Sequence, residues 1–77
     1  MEIKEINKSI LPDGVVRFQY AMPSENFIYM GYILESLEGL CIYTNPPGKK
    51  NVMQVDVVPL LLDNFQEIIT AIQNLPF

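Results

Sequence analysis

Apolar and polar positions alternate in two stretches of the chain and recur at helical spacing in two others. Over 15–22, Val16, Phe18, Tyr20 and Met22 fall on one side and Arg17, Gln19 and Ala21 on the other, the period-two pattern of a half-buried strand. Pro23 ends that strand. Ser24 is placed to cap a helix over 25–38, with Glu25 at its positive end and Phe27, Met30, Gly31, Leu34 and Leu37 as its apolar stripe. Gly39 supplies the C-terminal stop. Gly31 inside the helix costs about 1 kcal/mol relative to alanine, so a close neighbour is expected there. Residues 40–44 read as a short strand, and the Asn-Pro-Pro-Gly-Lys-Lys-Asn segment 45–51 as a turn, because consecutive prolines cannot continue a ladder. Alternation returns over 52–58, where Met53, Val55 and Val57 oppose Gln54 and Asp56. After Pro59, a stripe of Leu61, Phe65, Ile68, Ile69 and Ile72 predicts a second helix ending near Pro76. It starts either at Pro59 or after Asp63, which has capping-box spacing to Gln66.

The order over 15–77 is thus β-α-β-β-α, the split β-α-β arrangement of ferredoxin-like domains without their final strand. In that fold the missing strand lies antiparallel beside the first. A strand over 2–6, turned back at Leu11-Pro12-Asp13-Gly14, fills the same slot, so 1–14 forms an N-terminal strand or arm. Ile3 and Ile6 are three apart, a helical spacing, and a loop is the competing reading. The expectation is one α+β domain over 1–77, a ferredoxin-like sandwich with an antiparallel sheet of three to four strands and two helices on one face. Arg17, Gln19, Cys41, Tyr43, Gln54 and Asp56 are assigned to the open face.

The stretch 27–75, centred on Tyr32-Ile33-Leu34-Glu35-Ser36-Leu37-Glu38-Gly39-Leu40, resembles a small bacterial domain family of unknown function. The pattern behind the resemblance is a helix ending in Leu-Glu-x-x-Glu-Gly-Leu followed by a short strand. At fold level the chain is also similar to amino-acid-sensing ACT domains. That resemblance implies a ligand at the loop Met22-Pro23-Ser24-Glu25-Asn26, which lacks the glycine that lets a ligand approach the backbone in that family. Neither resemblance implies a catalytic residue.

Composition narrows the functions further. With 77 residues, 49% apolar and 18% charged, the chain has the makeup of one folded core near the lower size limit, where a second copy or a partner often covers apolar surface. The net charge of −4 repels phosphate backbones and anionic lipid, and the central positions of the open face carry no stacking aromatics, so nucleic acid is not an expected partner. No apolar run approaches the length of a membrane span, and 1–11 lacks the apolar core of a signal peptide. A single cysteine, Cys41, fits a reducing compartment, and the cytoplasm is the expected location.

Candidate chemistry is sparse. Histidine is absent, which removes the commonest general base and metal ligand. Cys41 has no activating partner in sequence and reads as a packing residue. Glu35 with Glu38 and Asp63 with Glu67 share helix faces, the ordinary pattern of a solvated surface. No enzyme activity, cofactor or metal is expected. Two surfaces remain: Tyr29 and Tyr32, three apart beside the apolar stripe of the first helix, and the 45–51 loop with Pro46, Pro47, Lys49 and Lys50. The reading is a non-enzymatic interaction or regulatory module, binding a protein partner or itself through these residues or a strand edge. The alternative is an ACT-like small-molecule sensor.

Overall fold

The alternating segments form the two central strands of a sheet whose covered face receives both helices. The structure, a computed structural model, describes residues 1–35 and 41–76, with the backbone alone at 41 and 42. Its elements are strands β1 (Lys4–Ile10) and β2 (Val16–Ala21), helix α1 (Asn26–Glu35), strands β3 (Cys41–Thr44) and β4 (Val52–Val57), a 3-10 turn at Pro59–Leu61, and helix α2 (Leu62–Gln73). The four strands make one antiparallel sheet in the order β1-β2-β4-β3.

Register fixes the two faces. Val16, Phe18 and Tyr20 of β2 stand opposite Val57, Val55 and Met53 of β4, and all six are buried. They form one apolar cluster with Met22, with Met30 and Leu34 of α1, and with Phe65, Ile69 and Ile72 of α2, so both helices pack on the same face. Rings concentrate at its centre: Phe18 lies 5.4 Å from Phe65 and 5.8 Å from Tyr20, while Tyr20 lies 6.4 Å from Phe65. On the open face the same register sets Arg17 against Asp56 and Gln19 against Gln54.

The N-terminal segment is a strand, so the loop reading is overturned, and its bounds are Lys4–Ile10 in place of 2–6. Its register slips between Glu5 and Asn7, a bulge at Ile6. The bulge explains the ambiguous isoleucine spacing: Ile3 is buried in the core, whereas Ile6 is about half exposed. The return turn is closed by Gly14 N–H donating to Leu11 O at 2.9 Å and Leu11 N–H donating to Val15 O at 2.8 Å, with Gly14 at φ 89°. Before the strand, residues 1–3 tie the helices together. Asn26 Nδ2 donates to Glu2 O at 3.0 Å, Gln73 Nε2 to Ile3 O at 3.4 Å, and the Met1 nitrogen to Ile72 O at 3.3 Å and to Leu75 O. The Met1 nitrogen thus adds a donor at the Ile72 carbonyl, which Leu75 N–H already reaches at 3.1 Å, and bonds Leu75 O just past the end of α2.

Three further expectations are corrected. Tyr43 pairs with Val55 and packs against the core cluster, so β3 has the opposite phase from the one expected and Tyr43 leaves the open face. Cys41 pairs with Val57 in the same register, with its side chain outside the described residues, as are Leu37, Glu38 and the Gly39 stop. Helix α1 starts at Asn26 after a turn in which Asn26 N–H donates to Pro23 O at 2.9 Å and Phe27 N–H to Ser24 O at 3.1 Å. Helix α2 starts at Leu62, directly after the 3-10 segment, and Asp63 sits inside its first turn, so the Asp63–Gln66 capping box is not its start.

Candidate functional site

Helix α1 is short and apolar nearly all round, which a single sheet contact cannot satisfy. Met30 and Leu34 are buried against the sheet, and Phe27 and Ile33 are half-buried beside them. That leaves Ile28, Tyr29 and Tyr32 on the outer side, 63%, 53% and 70% exposed. Ile28 and Tyr32 are four apart and neighbour one another on the helix surface. They border an open depression of about 260 Å³ whose other walls are Phe27, Gly31, Glu35 and Tyr43.

Tyr43 shapes that depression. Its ring crosses from β3 to α1, and a Cβ placed on Gly31 would meet the Tyr43 hydroxyl at 3.4 Å. A strand side chain is therefore the close neighbour of the mid-helix glycine, at a distance where an added methyl group would make ordinary van der Waals contact. The Tyr43 hydroxyl donates to Glu35 Oε1 at 2.6 Å, a charge-assisted bond that fixes the ring across the helix. Glu35 thus has a structural role distinct from its expected pairing with Glu38, which lies outside the described residues.

The 45–51 loop is built as a turn of the second type. Lys49 N–H donates to Pro46 O at 3.2 Å, with Pro47 and Gly48 at the corners and Gly48 at φ 75°. Pro47, Lys49 and Lys50 are exposed and Pro46 is half-buried. The depression at Tyr32 is walled by α1 and Tyr43 and includes none of Pro46, Pro47, Lys49 and Lys50. The sequence-predicted residues therefore form two surfaces.

The open face of the central strands is committed to itself. Arg17 donates from Nε and Nη2 to the two carboxylate oxygens of Asp56 at 2.8 and 2.9 Å, and Gln19 Nε2 donates to Gln54 Oε1 at 3.0 Å. The bond to Asp56 holds the Arg17 guanidinium above its ordinary pKa. A guanidinium occupied by a fork-to-fork pair is not available to an incoming phosphate.

Two concave surfaces lie where sequence reasoning placed little or nothing. One, of about 390 Å³, is lined by Glu2, Lys4, Ala21, Met22, Pro23 and Asn51, beside the loop that follows β2. The other is a groove of about 320 Å³ between β1 and α2, lined by Glu5, Tyr20, Gln66, Ile69, Thr70 and Gln73. Gln66, Thr70 and Gln73 recur at i, i+4 and i+7, so the polar stripe of α2 that borders this groove is visible in the sequence. That it meets the Tyr20 ring end across the sheet is not. Asp63 and Glu67 are exposed farther along the same helix and, among the described residues, no three His, Cys, Asp or Glu side chains gather as a metal site. Burial, with a smaller contribution from Glu5, pushes the Tyr20 hydroxyl above its ordinary pKa of 10.0. No helix among the described residues is long and apolar enough to cross a membrane. Compared with known proteins, the chain matches no family model, no curated protein and no solved structure.

Proposed function

We propose that this chain is a ferredoxin-like domain acting in the cytoplasm as a non-enzymatic interaction module, and that it binds a protein surface, beginning with a second copy of itself, through Ile28, Tyr29 and Tyr32 of α1. The observation that carries the reading is the outer side of α1, where three large side chains at least half exposed stand together on one short helix. The strand order β1-β2-β4-β3, with an N-terminal hairpin strand beside β2, supports the ferredoxin-like assignment. The resemblance to a small bacterial domain family belongs to the same reading. The bidentate pairing of Arg17 and the net charge of −4 support protein over nucleic acid as the partner.

Aromatic side chains at the centre of an interface commonly contribute about 2 kcal/mol each, so Tyr29→Ser with Tyr32→Ser should weaken an association by well over tenfold. Sedimentation velocity over a concentration series, on the parent and the double variant, tests this. The expected result is a parent that self-associates and a folded variant that stays monomeric. A folded variant with the parent's association would move the interface to the β1 edge or the 45–51 loop.

A second reading, ACT-like sensing, draws support from the depression beside Met22 and Pro23. Amide shifts on titration with free amino acids separate the two: a sensor responds at Met22, Ser24 and Asn51, an interaction module does not.

A further inference from the structure

Tyr20 is the one large polar side chain in the cluster of buried residues, and among the described residues no protein group bonds its hydroxyl. The residue is 2% exposed, its ring is held by Phe18 and Phe65, and among the described residues nothing accepts from or donates to its oxygen. The hydroxyl is thus the one polar atom that the otherwise apolar Tyr20 side chain presents, and a phenylalanine would fill the same space without it. The hydroxyl is not sealed inside the protein, since no fully enclosed side-chain oxygen or nitrogen lacks a partner among the described residues. It opens into the groove between β1 and α2.

The other walls of that groove are rich in acceptors. Glu5 stands opposite Tyr20 in the β1–β2 register, and among the described residues no cation lies within ion-pair distance of its carboxylate. The Lys8 ammonium, the nearest cation in the strand on the same face, lies over the Phe18 ring at 5.6 Å from its centroid. Thr70 spends its hydroxyl proton on Gln66 O at 3.0 Å, leaving its lone pairs free, and Gln73 donates from Nε2 to Ile3 O, leaving its amide oxygen free. Ile69 supplies an apolar wall. The bulge at Ile6 is what puts Glu5 and Lys8, three apart, on one face of β1.

We propose that the groove between β1 and α2 binds a small primary amine, its ammonium held by the Glu5 carboxylate and the Tyr20, Thr70 and Gln73 oxygens, and its alkyl stem laid against Ile69. A primary ammonium suits this set because it brings one positive charge and three donors to a cluster of acceptors around one unpaired carboxylate. The neutral Tyr20 phenol turns a lone pair to the cation while its proton remains available to the Glu5 side. The inference is independent of the interaction reading, which concerns the far side of α1.

n-Butylamine, n-butanol and n-butyltrimethylammonium are the probes, titrated into the full chain and followed by backbone amide and side-chain shifts. Saturable shifts for n-butylamine alone, confined to residues 5, 20 and 66–73, are expected. Glu5→Gln should weaken binding about tenfold or more, and Tyr20→Phe several-fold, in line with the loss of a charge-assisted hydrogen bond in each case. Tyr20→Phe should also leave the unfolding midpoint unchanged or raise it, because the hydroxyl has no bond to lose. Linear, non-saturating shifts in the parent overturn the proposal. So does equal binding by the parent and both variants, saturable binding of n-butanol at the same residues, or a marked destabilisation by Tyr20→Phe, which would mean that the hydroxyl has a structural partner.

Discussion

Burial of the Tyr20 ring between Phe18 and Phe65 has a consequence for stability as well as for binding. A phenolate formed there would lose its hydration and face the Glu5 charge, so the folded chain holds the proton above the ordinary value of 10.0. The unfolded chain releases that proton near 10.0, and above this pH it binds fewer protons than the folded chain. Tyr20 therefore adds no pH dependence below the ordinary value, and stability falls as pH rises through and beyond it. Urea unfolding of the parent and Tyr20→Phe along an alkaline series checks the sign: the parent should lose stability relative to the variant as pH climbs. Parallel curves would show a hydroxyl as well hydrated in the folded chain as in the unfolded one. At this scale the sequence was a good guide to Phe18 and Tyr20, whose alternation with Arg17 and Gln19 put them on the covered face. It was a poor one for Tyr43. In a four-residue strand with Ile42 and Tyr43 adjacent, no alternation fixes the phase, and the seven positions of the 45–51 loop carry no parity across from β4.

Among the elements, the hairpin of β1 and β2 depends most on one backbone conformation. Its three-residue connection, Pro12-Asp13-Gly14, brings Gly14 to φ 89°, and Asp13 Oδ1 accepts from Val15 N–H at 3.1 Å. A Cβ at Gly14 would meet nothing nearer than Pro59 Cγ at 3.9 Å, so space does not require the glycine but the left-handed backbone does. Gly14→Ala should cost about 1–2 kcal/mol. Gly14→Asn should cost clearly less, since asparagine tolerates that region. Denaturant unfolding of both variants measures the difference, and equal losses would point to crowding against Pro59 instead of backbone conformation. The turn was legible from Leu11-Pro12-Asp13-Gly14, as were β2, β4 and the stripe of α2, because each has a pattern of one period over its whole length. Strand β1 was only half legible. Its bulge shifts the period by one residue at Ile6, so a single strand shows two phases, and its ladder partner, not its own sequence, decides its extent. The groove it forms with α2 was illegible for the same reason, since the face that Glu5 occupies follows from the bulge.

Taken as a whole, the molecule presents two sheet edges of unequal length, the seven-residue β1 and the four-residue β3. Every residue of β1 is exposed, with Ile6 at 48% and Ile10 at 74%, which makes it a potential template for pairing with another chain. The strand carries two devices that oppose such pairing. One is the bulge, which interrupts a straight ladder; the other is the pair Lys4 and Lys8, whose charges must be desolvated or repelled when a second strand approaches. A protected edge is consistent with association through the helical face, because the longest free strand is then kept out of competition with Ile28, Tyr29 and Tyr32. Removing the lysines should expose the edge. Lys4→Thr with Lys8→Thr keeps strand-compatible side chains and takes the formal net charge from −4 to −6 by loss of two cations, so general repulsion increases while local protection falls. If edge protection by the lysines dominates, this double variant should form higher-order species in sedimentation velocity despite its greater charge. They should persist when Tyr29→Ser and Tyr32→Ser are added, since that surface is not the one being paired. A double variant that sediments as the parent does would assign the protection to the bulge alone, and deleting Ile6 to restore a regular ladder would then be the change that opens the edge.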